Sequence, residues 1–196
     1  MIVPENIEKI FISLDKQIQV HGGQTISLVV CGGTALSAMG LVNRTTKDVD
    51  VLGEIEFLKE KIVVKRIKKF PSWFDDAAKI IQRDFNLPNN WINTGPSAQV
   101  DSGLPDSFEN RLIRKQYGSY LAIYFISRID QIFFKLYASI DRGGYHVDDL
   151  FKLKPIEREI ESASHWLLTQ DVSEGFKLIL VDFLNKKGFT HVATRL

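Results

Sequence analysis

The stretch SLVVCGGTALSAMGLVNRTTKDVDVL, residues 27–52, decides the fold of this chain. It opens with the apolar run of residues 28–31, whose length and branching are typical of a buried strand. Two glycines end that run, and residues 34–39 predict a short helix that ends near Gly40. After a polar turn at residues 43–47, residues 48–52 predict a second strand. The stretch therefore predicts a strand, a helix and a second strand joined by tight turns.

Asp48 and Asp50 are the first candidate site residues. Side chains alternate between the faces of a strand, so both carboxylates are expected on one face. Neighbouring carboxylates repel each other, and a divalent cation between them removes that repulsion. Mg²⁺ binds one or two carboxylates, and substrate phosphates complete its shell. The Gly32-Gly33 turn leads into a helix N-terminus, which favours an anion. The pattern therefore predicts a phosphate site beside a pair of metal-binding carboxylates.

The order G-G-T-A-L followed by R-T-x-K-D-x-D resembles the signature of the nucleotidyltransferase superfamily that includes DNA polymerase beta. Within the superfamily the sequence is most similar to the AbiEii-like bacterial branch, several of whose members are toxins of toxin–antitoxin or phage-defence pairs. The resemblance implies that Asp48 and Asp50 bind Mg²⁺ or Mn²⁺ and act in catalysis. It implies that the nucleotide is bound by Gly32, Gly33, Thr34, Arg44 and Thr46.

Two of these positions have a second interpretation, and one departs from the common pattern. Arg44 and Thr46 are also candidates for fixing the turn that presents the two aspartates. Thr34 stands where many members of the superfamily have serine.

A second block resembles the same branch through the combination K-L-x-A, D-R-G and D-D-L within residues 135–150. The resemblance implies that Lys135 and a downstream aspartate, Asp148 or Asp149, act in catalysis, and that Lys135 also contacts the nucleotide. A lysine beside a triphosphate can neutralise charge that develops on the departing pyrophosphate. The alternative is a surface lysine with an aspartate that caps a helix.

The carboxylate set departs from the superfamily pattern. Many polymerase-beta-like enzymes carry a third metal-binding carboxylate on a later strand, and the apolar strand predicted at residues 121–126 has none. The segment Trp91-Ile92-Asn93-Thr94 resembles a family segment that usually reads W-L-N-D, and here too the carboxylate is missing. Asp101 could compensate for it. The alternatives are a single metal ion, a carboxylate from the loop, or a degenerate enzyme.

Composition limits the classes of protein that fit. Of the 196 residues, 44% are hydrophobic and 25% are charged, which is ordinary for a globular protein. The formal net charge of +1 argues against a protein that coats nucleic acid. The single cysteine excludes an internal disulfide, and no Cys/His cluster has zinc spacing. No apolar run approaches the roughly 20 residues of a membrane span. The sequence therefore predicts a cytoplasmic protein without a membrane partner.

The rest of the chain predicts alternating helices and strands followed by helices alone. Periodicity predicts a helix over residues 4–20, with Asp15 off its apolar face, and a second helix over residues 73–85. Between them, the basic run of residues 59–70 is either a solvated face of a helix or strand, or a surface that contacts nucleic-acid phosphates.

The later segments complete the predicted fold. A long loop over residues 86–108 with a short strand at 91–93, strands at 111–117 and 121–127, and helices from residue 128 follow in order. The fold class is α/β (α+β), a polymerase-beta-like nucleotidyltransferase core with a mixed sheet flanked by helices. The expected domains are this core at 1–127 and a helical C-terminal region at 128–196.

The leading functional hypothesis is Mg-dependent transfer of a nucleoside monophosphate from an NTP to an acceptor. By resemblance the acceptor could be an RNA, including a tRNA end, or a protein, and a further hypothesis is a toxin held by an antitoxin partner. The alternative is a catalytically degenerate nucleotide-binding or regulatory module of the same fold, which the missing third carboxylate motivates.

Overall fold

A computed structural model describes residues 1–59 and 61–196 of the chain. It is a mixed α/β structure with a six-stranded mixed sheet, flanking helices and a helical C-terminal region, which confirms the predicted fold class. Internal contacts divide the chain into two compact units, Met1–Ser127 and Arg128–Leu196. In the described part of the chain no helix has both the length and the apolar character needed to cross a membrane.

The first unit contains the whole sheet. Its strands are β1 (Ile26–Cys31), β2 (Val49–Leu58), β3 (Lys61–Lys65), β4 (Ile92–Asn93), β5 (Ile113–Gln116) and β6 (Leu121–Phe125). Its helices are α1 (Pro4–Val20), α2 (Gly32–Ala38), α3 (Ser72–Asp84) and α4 (Gln99–Ser102), with short 3₁₀ segments at Gly95–Ala98 and Phe108–Arg111. The strand–helix–strand order predicted for residues 27–52 is present, with the two glycines inside the first turn of α2.

The strands are arranged in the order β3-β2-β1-β6-β5, and β4 pairs with the beginning of β2. β1 pairs antiparallel with β2 and parallel with β6. The register of β1 and β2 shifts between Val29 and Val30, because Val29 lies opposite Gly53 while Val30 lies opposite Val51. Leu52 is therefore an extra residue in β2, as in a β-bulge.

One face of the sheet and two helices enclose the main core of the first unit. Alternate residues of β1, β2 and β6 pack there against α1 and α3. The largest buried side chains include Phe11 of α1, Phe74 of α3 and Trp91, whose indole N–H donates to the carbonyl of Ala78 at 3.0 Å. Asp50 lies between Val49 and Val51, which belong to this core, so its side chain is on the opposite face.

Three predictions for the first unit need correction or extension. β2 runs to Leu58, so residues 53–58 continue the strand. In the basic run of residues 59–70, Lys61–Lys65 form the strand β3, and Glu60 lies outside the described residues. Asp15 is buried, although its polarity placed it off the apolar face of α1. The reason is a tertiary contact, since Asp15 Oδ1 accepts hydrogen bonds from the backbone N–H groups of Tyr120 and Leu121, both at 2.7 Å.

The second unit is helical throughout its regular structure. Its helices are α5 (Arg128–Asp141), α6 (Tyr145–Lys152), α7 (Glu157–Gln170), α8 (Glu174–Lys186) and α9 (Thr190–Ala193). As predicted, Ser173 caps α8, since its hydroxyl accepts the N–H of Phe176 at 3.2 Å. Trp166 of α7 packs against Phe133, Phe134 and Tyr137 of α5, with ring centroids 5.6–6.3 Å away.

A two-point ion pair joins the beginnings of α5 and α7. The Arg128 guanidinium donates to both carboxylate oxygens of Glu159, at 2.6 and 3.1 Å. It also donates to the carbonyls of Leu153 and Lys154 between α6 and α7. The hydrogen bond from Arg128 lowers the pKa of the Glu159 carboxyl below its usual value. The pair therefore ties three segments of the second unit together.

We expect Asp15→Ala to lower the free energy of unfolding by about 2–3 kcal/mol, because two backbone N–H groups lose their acceptor. Asp15→Asn keeps an acceptor oxygen at this position and should cost less. Urea unfolding followed by circular dichroism measures both. Lys16→Ala, a change at the exposed neighbouring residue, is the control and should alter stability by no more than about 0.5 kcal/mol. Equal stability of the Asp15→Ala variant and the wild type would show that this contact contributes nothing.

Candidate active site

The carboxylate of Asp50 lies directly against the first residue of α2. Asp50 stands opposite Cys31, the last residue of β1. The Gly32-Gly33 turn follows Cys31 directly in the chain. A Cβ added at Gly32 would lie 2.6 Å from Asp50 Oδ2, closer than real Cβ atoms approach an oxygen. Gly32 also has a φ of +69°, which side chains rarely adopt. Glycine is therefore needed at this position both for the backbone conformation and for the close approach of Asp50.

Asp48 was predicted as the first residue of the second strand, but β2 begins one residue later, at Val49. The Asp48 backbone is held by two hydroxyl groups. Thr34 Oγ1 donates to the Asp48 carbonyl at 2.7 Å, and Thr46 Oγ1 donates to the same carbonyl at 3.2 Å. Both threonines are buried, whereas Asp48 and Asp50 are half-exposed. The threonines therefore fix the backbone that presents Asp48, and the two carboxylate-bearing residues remain accessible.

The second glycine of the turn lies beside Arg44 and Thr46. A Cβ at Gly33 would lie 2.9 Å from Thr46 Oγ1 and 3.2 Å from a terminal nitrogen of Arg44. Ser37 of α2 also donates to the carbonyl of Arg44 at 3.1 Å. The Arg44 backbone is thus held by Ser37, and its guanidinium places positive charge beside the glycine turn.

An open cavity of about 580 Å³ lies beside Asp48. Its walls come from the chain start, the turn before β2 and the segment after α3, and the lining residues are Met1, Lys47, Asp48, Asn86, Leu87, Pro88 and Asn89. Its volume is within the range of small-molecule sites, although the cavity is open to solvent. Asp48 therefore faces a space that a substrate group could enter.

The described residues contain no group of three or more Asp, Glu, His or Cys side chains that could hold a metal ion. Asp101, the candidate for the missing third carboxylate, is ion-paired with Arg66. Asn93 lies beside Asp50, and its Nδ2 donates to Asp50 Oδ1 at 3.3 Å. Asn93 was not among the predicted site residues, because only the carboxylate of the W-L-N-D pattern pointed to a function for this segment. Asp48 and Asp50 carry the ligand type that Mg²⁺ and Mn²⁺ prefer, and both residues are half-exposed, so phosphate and water could reach them.

The residues of the second block lie in the second unit, where Lys135 and Asp149 form a buried ion pair. Lys135 Nζ lies 2.9 Å from Asp149 Oδ2, and the two side chains are 6% and 1% exposed. Asp148 is exposed in the first turn of α6, so the structure pairs Lys135 with Asp149 rather than Asp148. The ammonium group also lies 5.8 Å from the ring centroid of Tyr145. The lysine is therefore not the surface residue that the alternative interpretation expected.

A buried amide lies one helical turn before Lys135. Gln131 is fully buried, and neither of its side-chain polar atoms has a hydrogen-bond partner in the described part of the structure. Gln131, Lys135 and Ser139 are spaced by four residues, so they share one face of α5. Ser139 donates to the carbonyl of Lys135 at 2.6 Å. This face is polar although it is buried, which is unusual for a helix that serves packing alone.

Each unit supplies groups with a definite chemical capacity. The first unit presents two accessible carboxylates, a glycine turn against one of them and an arginine beside that turn. Carboxylates are ligands that divalent cations prefer, and an arginine can pair with an anion. The second unit contains a buried lysine whose ammonium group is paired with a buried carboxylate. Carboxylates and an arginine such as those of the first unit are groups that enzymes use in transfer of a phosphorus-containing group, in which positioning and charge stabilisation provide most of the catalysis.

Comparison with known families gives the class of protein. The model of a family described as nucleotidyltransferase of unknown function matches residues 9–149, well over half of the chain. The chain belongs to this family, DUF6036, and thereby to the nucleotidyltransferases. No curated protein and no solved structure gives a significant match.

We expect Lys135→Met to lower the free energy of unfolding by about 3–5 kcal/mol, because it leaves the Asp149 carboxylate buried without its partner. The double variant Lys135→Met/Asp149→Leu removes both charges and should recover most of that loss. Chemical unfolding of the wild type and both variants gives the two values. If the double variant is no more stable than the single one, an uncompensated charge is not the cause.

We expect Gly32→Ala to weaken binding of Mn²⁺ at least about tenfold, because the new methyl group displaces the Asp50 carboxylate. Gly40→Ala is the matched control, since Gly40 has a similar φ of +67° but nothing within 4 Å of its added Cβ. Both variants carry the same backbone strain, so only the contact with Asp50 differs. Mn²⁺ titration followed by electron paramagnetic resonance measures the affinity. Equal weakening in the two variants would attribute the effect to backbone strain.

Proposed function

We propose that this chain transfers a nucleoside monophosphate from an NTP to an acceptor hydroxyl. The observation that carries the proposal is the contact of the Asp50 carboxylate with the Gly32 turn, in a chain of a nucleotidyltransferase family. The acceptor oxygen forms a bond to the α-phosphorus, and the bond from that phosphorus to the bridging oxygen breaks. Pyrophosphate leaves, and the hydroxyl proton passes to solvent.

In this proposal Asp48 and Asp50 would hold Mg²⁺ or Mn²⁺, and the chemistry supplied there would be neutralisation of phosphate charge. Asp50 is oriented by its neighbours, and Asp48 is presented by the backbone that Thr34 and Thr46 hold. Arg44 contributes positive charge beside the Gly32-Gly33 turn, where the phosphates are expected to bind. The resemblance of the second block implies that Lys135 neutralises the charge that develops on the departing pyrophosphate. Asp149 would fix the position of the Lys135 ammonium group.

The finer assignments are also proposals and rest on the resemblance to the AbiEii-like branch. They are an RNA acceptor, such as a tRNA end, or a protein acceptor, a role as the toxin of a pair, and an antitoxin partner protein. A cytoplasmic location follows from the proposed NTP substrate. Growth arrest when the chain is expressed alone, relieved by Asp50→Asn, would support the toxin role. Harmless expression of the active chain would contradict it.

We expect the purified protein, given each NTP labelled at the α-phosphate, to transfer the label to total RNA or to lysate protein when Mg²⁺ or Mn²⁺ is present. Label at the γ-phosphate should instead appear in pyrophosphate, which distinguishes this reaction from a kinase reaction. Asp50→Asn should reduce transfer at least about 100-fold, because it removes a charged ligand without changing the shape of the side chain. Transfer at the wild-type rate would exclude Asp50 from the mechanism.

Asp76→Asn is the matched control for this experiment. Asp76 is a carboxylate of the first unit that pairs with Lys79 on the exposed side of α3, at 2.9 Å. Its neutralisation should leave transfer unchanged. The folded double variant Lys135→Met/Asp149→Leu separates a role of Lys135 in transfer from its role in stability, since its buried charges are removed together.

A second candidate function is a nucleotide-binding module without catalysis. It is favoured by the absence of a third metal-binding side chain among the described residues. NTP binding that depends on Mg²⁺, with no product from any NTP or acceptor pool, would support this alternative. Transfer of the α-label would contradict it.

A further inference from the structure

The carboxamide of Asn93 is held at both ends. Its Nδ2 donates to Asp50 Oδ1 at 3.3 Å, and its Oδ1 accepts the backbone N–H of Gly95 at 2.9 Å. β4 pairs parallel with β2, and in this register Asn93 lies opposite Asp50. Residues that lie opposite each other on paired strands share a face, so the sheet itself brings the amide to the carboxylate.

The chain determines which end of the amide faces Asp50. A backbone N–H can only donate, so it requires the Oδ1 end of Asn93 beside Gly95. With the amide reversed, an NH₂ group would face that N–H, and the amide oxygen would face a carboxylate oxygen. Gly95 also permits the tight approach, since an added Cβ there would lie 2.9 Å from Asn93 Oδ1. The turn at residues 93–95 therefore fixes the amide as a donor toward Asp50.

The two oxygens of Asp50 consequently have different surroundings. Oδ1 receives the hydrogen bond from Asn93, and Oδ2 lies on the side of Gly32. A carboxylate held on one oxygen cannot rotate freely, so its other oxygen keeps one direction. An aspartate in place of Asn93 could not donate this hydrogen bond, and it would add a third negative charge next to Asp50.

We propose that Asn93 is a positioning residue that orients Asp50 for a single divalent cation. The amide supplies the orientation without adding charge, so the site retains the two negative charges of Asp48 and Asp50, which match one Mg²⁺ or Mn²⁺. This inference rests on the proposed function, because it assigns Asp50 as a metal ligand. It also gives a physical role to the segment in which a third carboxylate was expected.

The test is Mn²⁺ binding to the full chain, measured by electron paramagnetic resonance, which requires no NTP and no acceptor. We expect the wild type to bind one Mn²⁺ per chain. Asn93→Ala loses both contacts of the amide and should bind Mn²⁺ about 10–100-fold more weakly. Asn93→Ser keeps an oxygen that can accept the Gly95 N–H but has no donor that reaches Asp50, so it should weaken binding to a similar extent while preserving the turn.

Asn93→Asp provides the opposite change. It should bind a second Mn²⁺ per chain, and its thermal stability should be lowered without metal and restored by Mn²⁺. Thermal unfolding without metal shows whether each variant is folded. Wild-type affinity in both Asn93→Ala and Asn93→Ser, or two Mn²⁺ ions in the wild type, would overturn the inference.

The outcomes also separate this inference from the proposed function. If the wild type binds one Mn²⁺ and transfers nucleotide while Asn93→Ser binds like the wild type, only the role of Asn93 fails. If the Asn93 variants weaken Mn²⁺ binding but no transfer is found with any acceptor, the positioning role holds and the proposed catalysis fails. If the wild type binds no Mn²⁺, both fail.

Discussion

The register between β1 and β2 is the constraint on which the candidate site depends. Cys31 lies opposite Asp50 only because β2 carries one extra residue, Leu52, after which the pairing shifts. An extra residue in one strand changes which side chains share a face, since side chains alternate along a strand. A slip of one residue would send Asp50 into the core and bring an apolar side chain to Gly32. The bulge thus allows β1 and β2 to pair on both sides of Leu52 while the Asp50 carboxylate lies beside the first residue of α2.

The local elements could be predicted from the sequence, because their signals lie within a few residues. Apolar runs, glycines and helical periodicity predicted β1, α2 and the long helices, and α1 has the predicted bounds Pro4–Val20. The contacts that define the site could not be predicted, because they join residues far apart in the chain. Asn93 meets Asp50 across 43 residues, and Asp15 meets Leu121 across 106 residues. Neither contact leaves a periodic trace in the sequence.

Charge burial separates the two motif blocks. In the first unit, Asp48 and Asp50 are half-exposed, so both residues keep contact with solvent. In the second unit, Lys135 and Asp149 are almost fully removed from water, and they are stable there because each neutralises the other. The sequence D-D-L could not distinguish Asp148 from Asp149. Their helical positions do so, because only Asp149 turns inward on α6.

The family match ends at residue 149, inside α6, whereas the second unit continues to Leu196. The aromatic rings of α5 pack against residues that follow position 149. Trp166 of α7 contacts Phe134 and Tyr137, and Phe176 of α8 also contacts Tyr137. The segment that defines the family therefore does not contain the hydrophobic partner of the helix that bears Lys135. A polypeptide that ended at residue 149 would expose these aromatic rings and would be prone to self-association. Residues 150–196 therefore belong to the folding unit, although they lie outside the residues that the family model matches.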